Sequence, residues 1–163
     1  MPKWTIKPEP VTGADIDEAM WQYFTEMGQR VMGRPPMDAE LREVLHEDPH
    51  DDLSPPQGVL LVARGSDGEL LGYAGVRLLT GDPSAAELKR MYVRPAGRGL
   101  GLGRGLLLAA EAAAQELGAS RVVCETNTEL TEARALYISH GYEETGSYDG
   151  HGNAEHWYAK TLG

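Results

Sequence analysis

The sequence predicts a mixed α/β fold, of the α+β kind, with a central sheet of about six to seven strands flanked by about four helices. Short apolar or alternating runs, typical of strands, are interspersed with segments whose apolar residues recur at helical spacing. Clusters of glycine and proline separate these segments. A chain of 163 residues suits one domain with a sizeable core, and we expect residues 1–163 to form it.

The first part of the chain predicts one strand followed by two helices. Residues 4–7 fit a short strand. Thr12 is placed to cap a helix, with Asp15 three residues further on as in a capping box, and this helix is expected to end near Gly33. A shorter second helix follows. Residues 47–56 are acidic and rich in proline, which fits a loop that is either a substrate lid or a plain connector.

The middle of the chain predicts an antiparallel hairpin and one further strand. Residues 57–64 and 70–79 are strand-like and flank a turn at residues 66–68. After a second turn at residues 81–83, residues 86–93 are expected to form a strand. This strand leads directly into a glycine-rich loop.

The last part of the chain predicts a crossover and two closing strands. A helix that starts at Gly103 is expected to stop at Gly118, and residues 121–126 form the next strand. Because this strand follows a strand–helix unit, the crossover is expected to be parallel and right-handed. The remaining predicted elements are a helix at residues 129–140 and strands at residues 142–145 and 156–160.

The bulk composition limits the classes of function. The formal net charge is −10 at pH 7, which argues against nucleic acid as a partner because phosphate binders present broad basic surfaces. The single cysteine, Cys124, lies in an apolar strand pattern, so a buried and unreactive thiol is expected. The sequence shows no signal-like N-terminus and no apolar run of about 20 residues, which predicts a cytoplasmic protein that does not enter the membrane.

One window of this acidic chain is basic. Residues 89–104 hold five of the 15 lysines and arginines and no acidic residue, and the window coincides with the glycine-rich loop. A loop of this kind before a helix places backbone N–H groups at the positive end of the helix dipole. The sequence therefore predicts a site for an anion such as a pyrophosphate. The basic residues of the window are Lys89, Arg90, Arg94, Arg98 and Arg104.

The glycine spacing excludes two common phosphate-binding loops. A dinucleotide-binding fingerprint needs glycines at i, i+2 and i+5, but counting from Gly99 or Gly101 the third position is Arg104 or Leu106. A P-loop needs two glycines with four residues between them, followed by Lys-Ser or Lys-Thr, and no such run occurs. After a Tyr-Val-x-Pro strand end, the chain instead reads Arg98-Gly99-Leu100-Gly101-Leu102-Gly103.

This run resembles the acyl-CoA-binding signature Arg/Gln-x-x-Gly-x-Gly/Ala of the GNAT superfamily of N-acetyltransferases. Downstream, residues 133–142 resemble the Ala-x-x-Leu-Tyr-x-x-x-Gly-Phe/Tyr element of the same family. The predicted order of elements follows the family along nearly the whole chain. The resemblance implies a GNAT-like fold over residues 1–163 and an acetyl-CoA-dependent N-acetyltransferase.

The resemblance also implies how acetyl-CoA would be held. Backbone amides of the glycine-rich loop would bind the pyrophosphate. Met91 and Val93 would hydrogen-bond the pantetheine amides, and an N–H near Met91 or Tyr92 would bind the oxyanion. Asn127 is a further candidate, although it is out of register with the family's asparagine, whose position here is Leu130. The implied loop residues are Arg98, Gly99, Leu100, Gly101, Leu102, Gly103 and Arg104.

Two residues are candidates for the chemistry itself. By resemblance, Tyr137 is the general acid for the CoA thiolate. Glu87 is the candidate base, acting on the attacking amine through water, because it lies on the strand that leads to the acetyl group. Tyr92, Glu125 and Asp149 are weaker alternatives for the base.

The acceptor is expected to be a primary amine of a small molecule or of a protein. The alternative is a domain of the same fold that holds acyl-CoA as a sensor or interaction module without turnover. A homodimer is considered because dimers are common among similar proteins, although no motif indicates one. No metal is expected, since the histidines and carboxylates show no recognisable ligand spacing.

Overall fold

The computed structural model describes residues 3–148 and 154–163. In this part of the chain, seven strands form one sheet: β1 Trp4–Glu9, β2 Gly58–Gly65, β3 Leu70–Leu79, β4 Asp82–Val93, β5 Arg121–Thr126, β6 Glu143–Thr145 and β7 His156–Thr161. Four helices accompany them: α1 Ala14–Met32, α2 Asp38–Glu47, α3 Leu102–Glu116 and α4 Thr131–Ser139. The predicted fold class, a mixed sheet flanked by helices, is confirmed.

The strand order in the sheet is β1-β2-β3-β4-β5-β7-β6. Neighbours from β1 to β4 pair antiparallel, so the hairpin predicted for β2 and β3 is confirmed. The strands β4 and β5, which α3 connects, pair in parallel, as predicted for this crossover. On the far side β7 pairs antiparallel with both β5 and β6. The parallel pair therefore lies between two antiparallel parts of the sheet.

The predicted capping box at the start of α1 is wrong. Gly13 occupies the N-cap position with a φ of 137°, and no side chain caps the helix. The carboxylate of Asp15 accepts a hydrogen bond from Arg64 Nη1 on β2 at 2.8 Å. Because a contact across the fold holds Asp15, it does not reach back toward Thr12. The acids of the first turn still lie where the helix dipole favours negative charge.

Two apolar cores cover the two faces of the sheet. Along β2, Leu61 and Ala63 belong to the core under α3, whereas Leu60 and Val62 belong to the core under α1. This is the alternation expected for a strand that is buried on both faces.

A bulge interrupts β4. Tyr73 on β3 pairs with Tyr92, but Gly75 pairs with Lys89, so β4 contains one residue more than β3 over this stretch. Arg90 lies within the bulge at a φ of 56°, and it is the one non-glycine residue with positive φ in the described part of the chain. A side chain in this left-handed region costs free energy, and such residues are concentrated at functional sites.

Beyond the bulge β4 separates from β5. Pairing between the two strands covers only Ala85–Glu87 on β4 and Arg121–Val123 on β5. The rest of β4, as far as Val93, has no partner strand on that edge among the described residues. A cleft therefore opens between the C-terminal halves of the two parallel strands.

The acidic segment of residues 47–56 is anchored to the sheet. Leu53 is 1% exposed and packs against Gly75 so closely that a Cβ on this glycine would lie 2.5 Å from Leu53 Cδ1. Asp52 forms an ion pair with Arg77 on β3. Of the two predicted alternatives, these contacts favour a fixed connector over a substrate lid.

We expect Leu53→Ala to lower the free energy of unfolding by about 2–5 kcal/mol, because it leaves a cavity between the segment and β3. The control is Leu108→Ala, whose side chain is 43% exposed and which should change stability by no more than about 0.5 kcal/mol. Urea unfolding followed by circular dichroism measures both. Equal midpoints for the two variants would show that Leu53 does not anchor this segment.

Candidate active site

A cavity of about 580 Å³ occupies the cleft between β4 and β5. Its walls come from β4, the end of β5, and helices α1 and α4. The predicted site residues that line it are Glu87, Met91, Tyr92, Val93, Arg98, Gly103 and Tyr137. Six predicted residues are not part of the lining: Gly99, Leu100, Gly101, Leu102, Arg104 and Asn127. The structure thus brings strand β4, the start of α3 and the tyrosine of α4 to one cavity.

The free edge of β4 forms one wall of the cavity. Met91 and Val93 pack against the core under α3 and also line the cavity. Beyond Glu87 no described strand pairs with this edge. An extended ligand with amide groups can therefore hydrogen-bond to β4 as an added strand would.

The N-terminus of α3 lies next to this wall. Gly101 is the N-cap with a φ of 74°, no side chain caps the helix, and its first turn contains no acid. The first N–H groups of α3 consequently remain available to an anion. Leu102 is 1% exposed and offers only its backbone, whereas the side chain of Arg104 is exposed. This geometry suits a phosphate or pyrophosphate.

Arg98 connects the glycine-rich loop to α1. Its Nη2 donates to both carboxylate oxygens of Glu26 at 2.7 and 3.0 Å, and its Nε donates to the carbonyl oxygen of Val93 at 3.2 Å. The Arg98 side chain is nevertheless half exposed. It can therefore contact a ligand anion while it stays attached to the protein.

The five basic residues of the window 89–104 do not all point to the glycine-rich loop, although the overlap of window and loop in the sequence suggested one shared anion site. Lys89 and Arg90 both form ion pairs with Asp48, which follows α2. The Nε of Arg94 donates to Gln22 on α1 at 2.9 Å. Lys89 and Arg90 lie within β4 and are held by Asp48, whereas Arg94 lies just after the strand and is held by α1. Of the five residues, Arg98 and Arg104 belong to the loop and helix start.

Tyr137 on α4 is 5% exposed and borders the cavity. Its ring lies 5.7 Å from that of Tyr142 and 5.8 Å from that of Tyr158. Burial raises the pKa of Tyr137 well above its usual value, so the phenol stays protonated in ordinary buffers. Within the described residues nothing forms a hydrogen bond with its hydroxyl, which leaves that proton for a ligand atom in the cavity.

Glu87 is buried and held by two hydrogen bonds and an ion pair. Arg77 donates to its Oε1 from Nε at 3.0 Å and forms a 2.9 Å ion pair with it through Nη2. The hydroxyl of Tyr148 donates to its Oε2 at 2.7 Å. The carboxylate therefore has a fixed orientation at the cavity wall, and its role as base stays a prediction.

The other candidates differ in position. Tyr92 donates its hydroxyl proton to Glu26 Oε2 at 2.7 Å, and burial, followed by this bond, raises its pKa. Glu125 lines the cavity from β5. Asp149 lies outside the described residues. Asn127 follows β5, and its buried amide oxygen has no hydrogen-bond partner among the described groups.

Several residues of α1 that the sequence analysis did not single out also line the cavity. The ring of Tyr23 packs edge-on against Tyr92 at 5.6 Å. Arg30 pairs with Glu132 on α4 at 2.8 Å and donates to the carbonyl oxygen of Glu129 at 2.7 Å. Arg30 and Glu129 are 99 residues apart, so no local pattern could have revealed this contact. It connects α1 to α4 beside the cavity.

Other features of the described residues are simpler. Cys124 is buried, and burial raises the pKa of its thiol, as expected for an unreactive cysteine. Over residues 3–148 and 154–163 there is no cluster of three or more His, Cys, Asp or Glu residues that could hold a metal ion. In the same ranges no helix has the length and apolar character needed to cross a bilayer.

Comparison with known proteins agrees with this geometry. Residues 14–142 match the model of the acetyltransferase (GNAT) family. An uncharacterised N-acetyltransferase of Schizosaccharomyces pombe is 35% identical over 136 residues, which cover 82% of this chain and 78% of that protein. A GNAT-family acetyltransferase of Staphylococcus aureus superposes with a TM-score of 0.77 at 16% identity, covering 98% of this chain and 99% of the other. The PaiA N-acetyltransferase of Thermoplasma acidophilum, solved in complex with coenzyme A, gives 0.71 at 17% identity, with 97% and 99% covered.

Proposed function

Because the chain belongs to the GNAT family of acetyltransferases, we propose that it transfers the acetyl group of acetyl-CoA to a primary amine by direct attack in a ternary complex. Membership of the family makes it an acetyl-CoA-dependent N-acetyltransferase. That the acceptor is a primary amine, of a small molecule or of a protein, is the proposal. The direct transfer reaction is supported chiefly by the cavity, where the free edge of β4, the start of α3 and Tyr137 converge.

The donor would lie along the cleft. Its pyrophosphate would meet the first N–H groups of α3 and the loop 98–103, with added charge from Arg98 and Arg104. Its pantetheine amides would pair with the backbone of Met91 and Val93. The thioester would then lie beside the bulge, where Arg90 and Met91 have no paired residue on β3. Asn127 would be a minor contact at most, since it does not line the cavity.

The chemistry requires a neutral amine, a site for the oxyanion and an acid for the leaving sulfur. The amine nitrogen attacks the thioester carbon, and an N–H of Met91 or Tyr92 stabilises the oxyanion. When the carbon–sulfur bond breaks, Tyr137 gives its proton to the thiolate. Glu87, through water, takes the proton that the amine loses. The phenol remains protonated at the alkaline pH at which amines become neutral, because its pKa is raised.

We also propose that residues 1–163 act as one acetyltransferase domain, since one sheet takes strands from near both ends of the chain. A cytoplasmic location and a homodimer stay predictions. The alternative of a silent acyl-CoA sensor is not favoured, because the relatives are named N-acetyltransferases and a protonated tyrosine faces the cavity.

Tyr137→Phe should lower kcat by about 100-fold or more, the effect typical of losing a general acid. The KM for acetyl-CoA should change little, because the ring and its packing remain. Release of free thiol from acetyl-CoA across a panel of amines measures both constants. Full turnover by this variant would remove Tyr137 from the mechanism.

Gly103→Ala should weaken coenzyme A binding about tenfold or more, because its methyl group occupies the space that a bound phosphate needs. The nearest protein atom to that methyl would be Leu136 Cδ2 at 3.7 Å, so the fold should tolerate the change. Isothermal titration calorimetry gives the affinity, and thermal unfolding gives the stability.

The matched control is Gly105→Ala, one half-turn further along α3. Its Cβ would lie 2.5 Å from a ring carbon of Trp4, so this variant should lose stability. Its folded fraction should bind coenzyme A normally, because Gly105 does not line the cavity. If Gly103→Ala bound coenzyme A as tightly as the wild type, the start of α3 would not be the phosphate site.

A further inference from the structure

Two neighbouring cations face the same side of β4. Leu88 and Met91 both contact the core under α3. A regular strand would place one residue between them on the opposite side, but the bulge places two there, Lys89 and Arg90. Both side chains reach Asp48, which follows α2. The extra residue therefore concentrates positive charge at one end of the cavity.

The guanidinium of Arg90 is buried, and its Nη1 has no hydrogen-bond partner among the described residues. Its side chain is 3% exposed and lies over the ring of Phe24, 4.9 Å from the centroid. Nη2 donates to the backbone carbonyl of Asp48 and lies 3.3 Å from the carboxylate of the same residue. Nη1 is buried and has no hydrogen-bond partner in the part of the chain that the structure describes. Buried polar atoms are nearly always paired, so this nitrogen requires an explanation.

The charges around Asp48 do not balance. Lys89 Nζ donates to both of its carboxylate oxygens, at 2.7 and 2.9 Å, so one acid serves the buried Arg90 and the partly buried Lys89. Burial acts to raise the pKa of Asp48, but the bonds and charges of Lys89 and Arg90 outweigh it and lower the pKa. Burial, and next the charge of Arg90, lower the pKa of His50, so this neighbour is neutral at pH 7. Asp17 and Asp51 also lie near His50, so the shortage of negative charge is confined to the ion pairs at Asp48, where the anionic group of a ligand can add to them.

The ratio of acids to cations is reversed at Glu87, which lies three residues before Arg90 on β4. Arg77 pairs with both Glu87 and Asp52, so one cation serves two acids there. Glu87 and Arg90 line the same cavity. Along one wall the charge thus changes from an excess of acid to an excess of base. A ligand that carries an ammonium and a carboxylate close together matches this order.

We propose that the acceptor is a free amino acid, whose carboxylate is bound by Arg90 while its amine lies toward Glu87 and the thioester. This inference rests on the proposed function and names its substrate class. The Nη1 of Arg90 retains N–H donors for a carboxylate oxygen, and Lys89 adds positive charge beside it. Arg90 is then the residue that determines acceptor specificity, and the strained bulge holds it in place.

The test compares each of the 20 common amino acids with its carboxamide in the thiol-release assay at pH 8. The two compounds differ only in the carboxylate, and the amide has the more easily deprotonated amine, so a preference for the acid cannot come from amine basicity. We expect at least one amino acid with a kcat/KM about tenfold or more above that of its amide. The wild-type protein alone decides this comparison.

Substitutions at Arg90 and Asp48 then test whether Arg90 causes the preference for the free amino acid over its amide. Arg90→Met should raise the KM for the amino acid by about 10- to 100-fold, the effect of losing a charge-assisted hydrogen bond, while the KM for acetyl-CoA stays unchanged. Asp48→Asn should lower the KM for the amino acid, because it removes the competing carboxylate. Arg42→Met, at an exposed position on α2, is the control for loss of one positive charge. If Arg90→Met does not fold, the opposite shift in Asp48→Asn carries the assignment.

Two results would overturn the inference, and they are distinguishable. If amides and simple amines are acetylated as well as the free acids, the acceptor is not an amino acid, although acetyl transfer stands. If no amine releases coenzyme A from the folded protein, the proposed function fails and this inference fails with it. An unchanged KM in a folded Arg90→Met variant would exclude Arg90 as the carboxylate site.

Discussion

The separation of β4 from β5 is the constraint on which the rest of this structure depends. Hydrogen-bonded strands lie about 4.8 Å apart and leave no room for a ligand between them. Here pairing ends after Glu87 and Val123, and the bulge at Arg90 bends the following part of β4 away. The same bulge frees a backbone edge, brings two cations to one side of the strand and opens the cavity that Tyr137 borders.

Helix α1 completes the cavity through contacts between residues that are far apart in sequence. Glu26 accepts hydrogen bonds from Tyr92 and Arg98, and Arg30 pairs with Glu132 on α4. These pairs join α1 to β4, to the glycine-rich loop and to α4. The apolar contacts of the two cores determine the fold, whereas these polar contacts determine the shape and charge of the cavity. These polar contacts also fix the positions of the acidic and basic side chains along the cavity wall.

Local pattern was sufficient for most elements and for the loop that leads into α3. The bounds of β3 and β5 agree with the prediction, and Tyr137 borders the cavity, although its role as acid stays a prediction. The bulge could not be predicted, because its positive φ belongs to an arginine and not to a glycine. The capping box expected from Thr12 and Asp15 is absent because Gly13 is the N-cap and Arg64, 49 residues beyond Asp15, binds that carboxylate. Contacts between residues that are this far apart along the chain leave no periodic signal in a single sequence.

Backbone amide hydrogen exchange with and without acetyl-CoA tests the central claim most directly, namely that the donor binds along the free edge of β4 and at the start of α3. Exchange resolved at single residues by NMR should slow within residues 88–93 and 102–104 when acetyl-CoA is bound. Strands β1 and β2, which are remote from the cleft in the sheet order, should change little. Bound acetyl-CoA that protected other elements and left the amides of residues 88–93 unchanged would contradict this account.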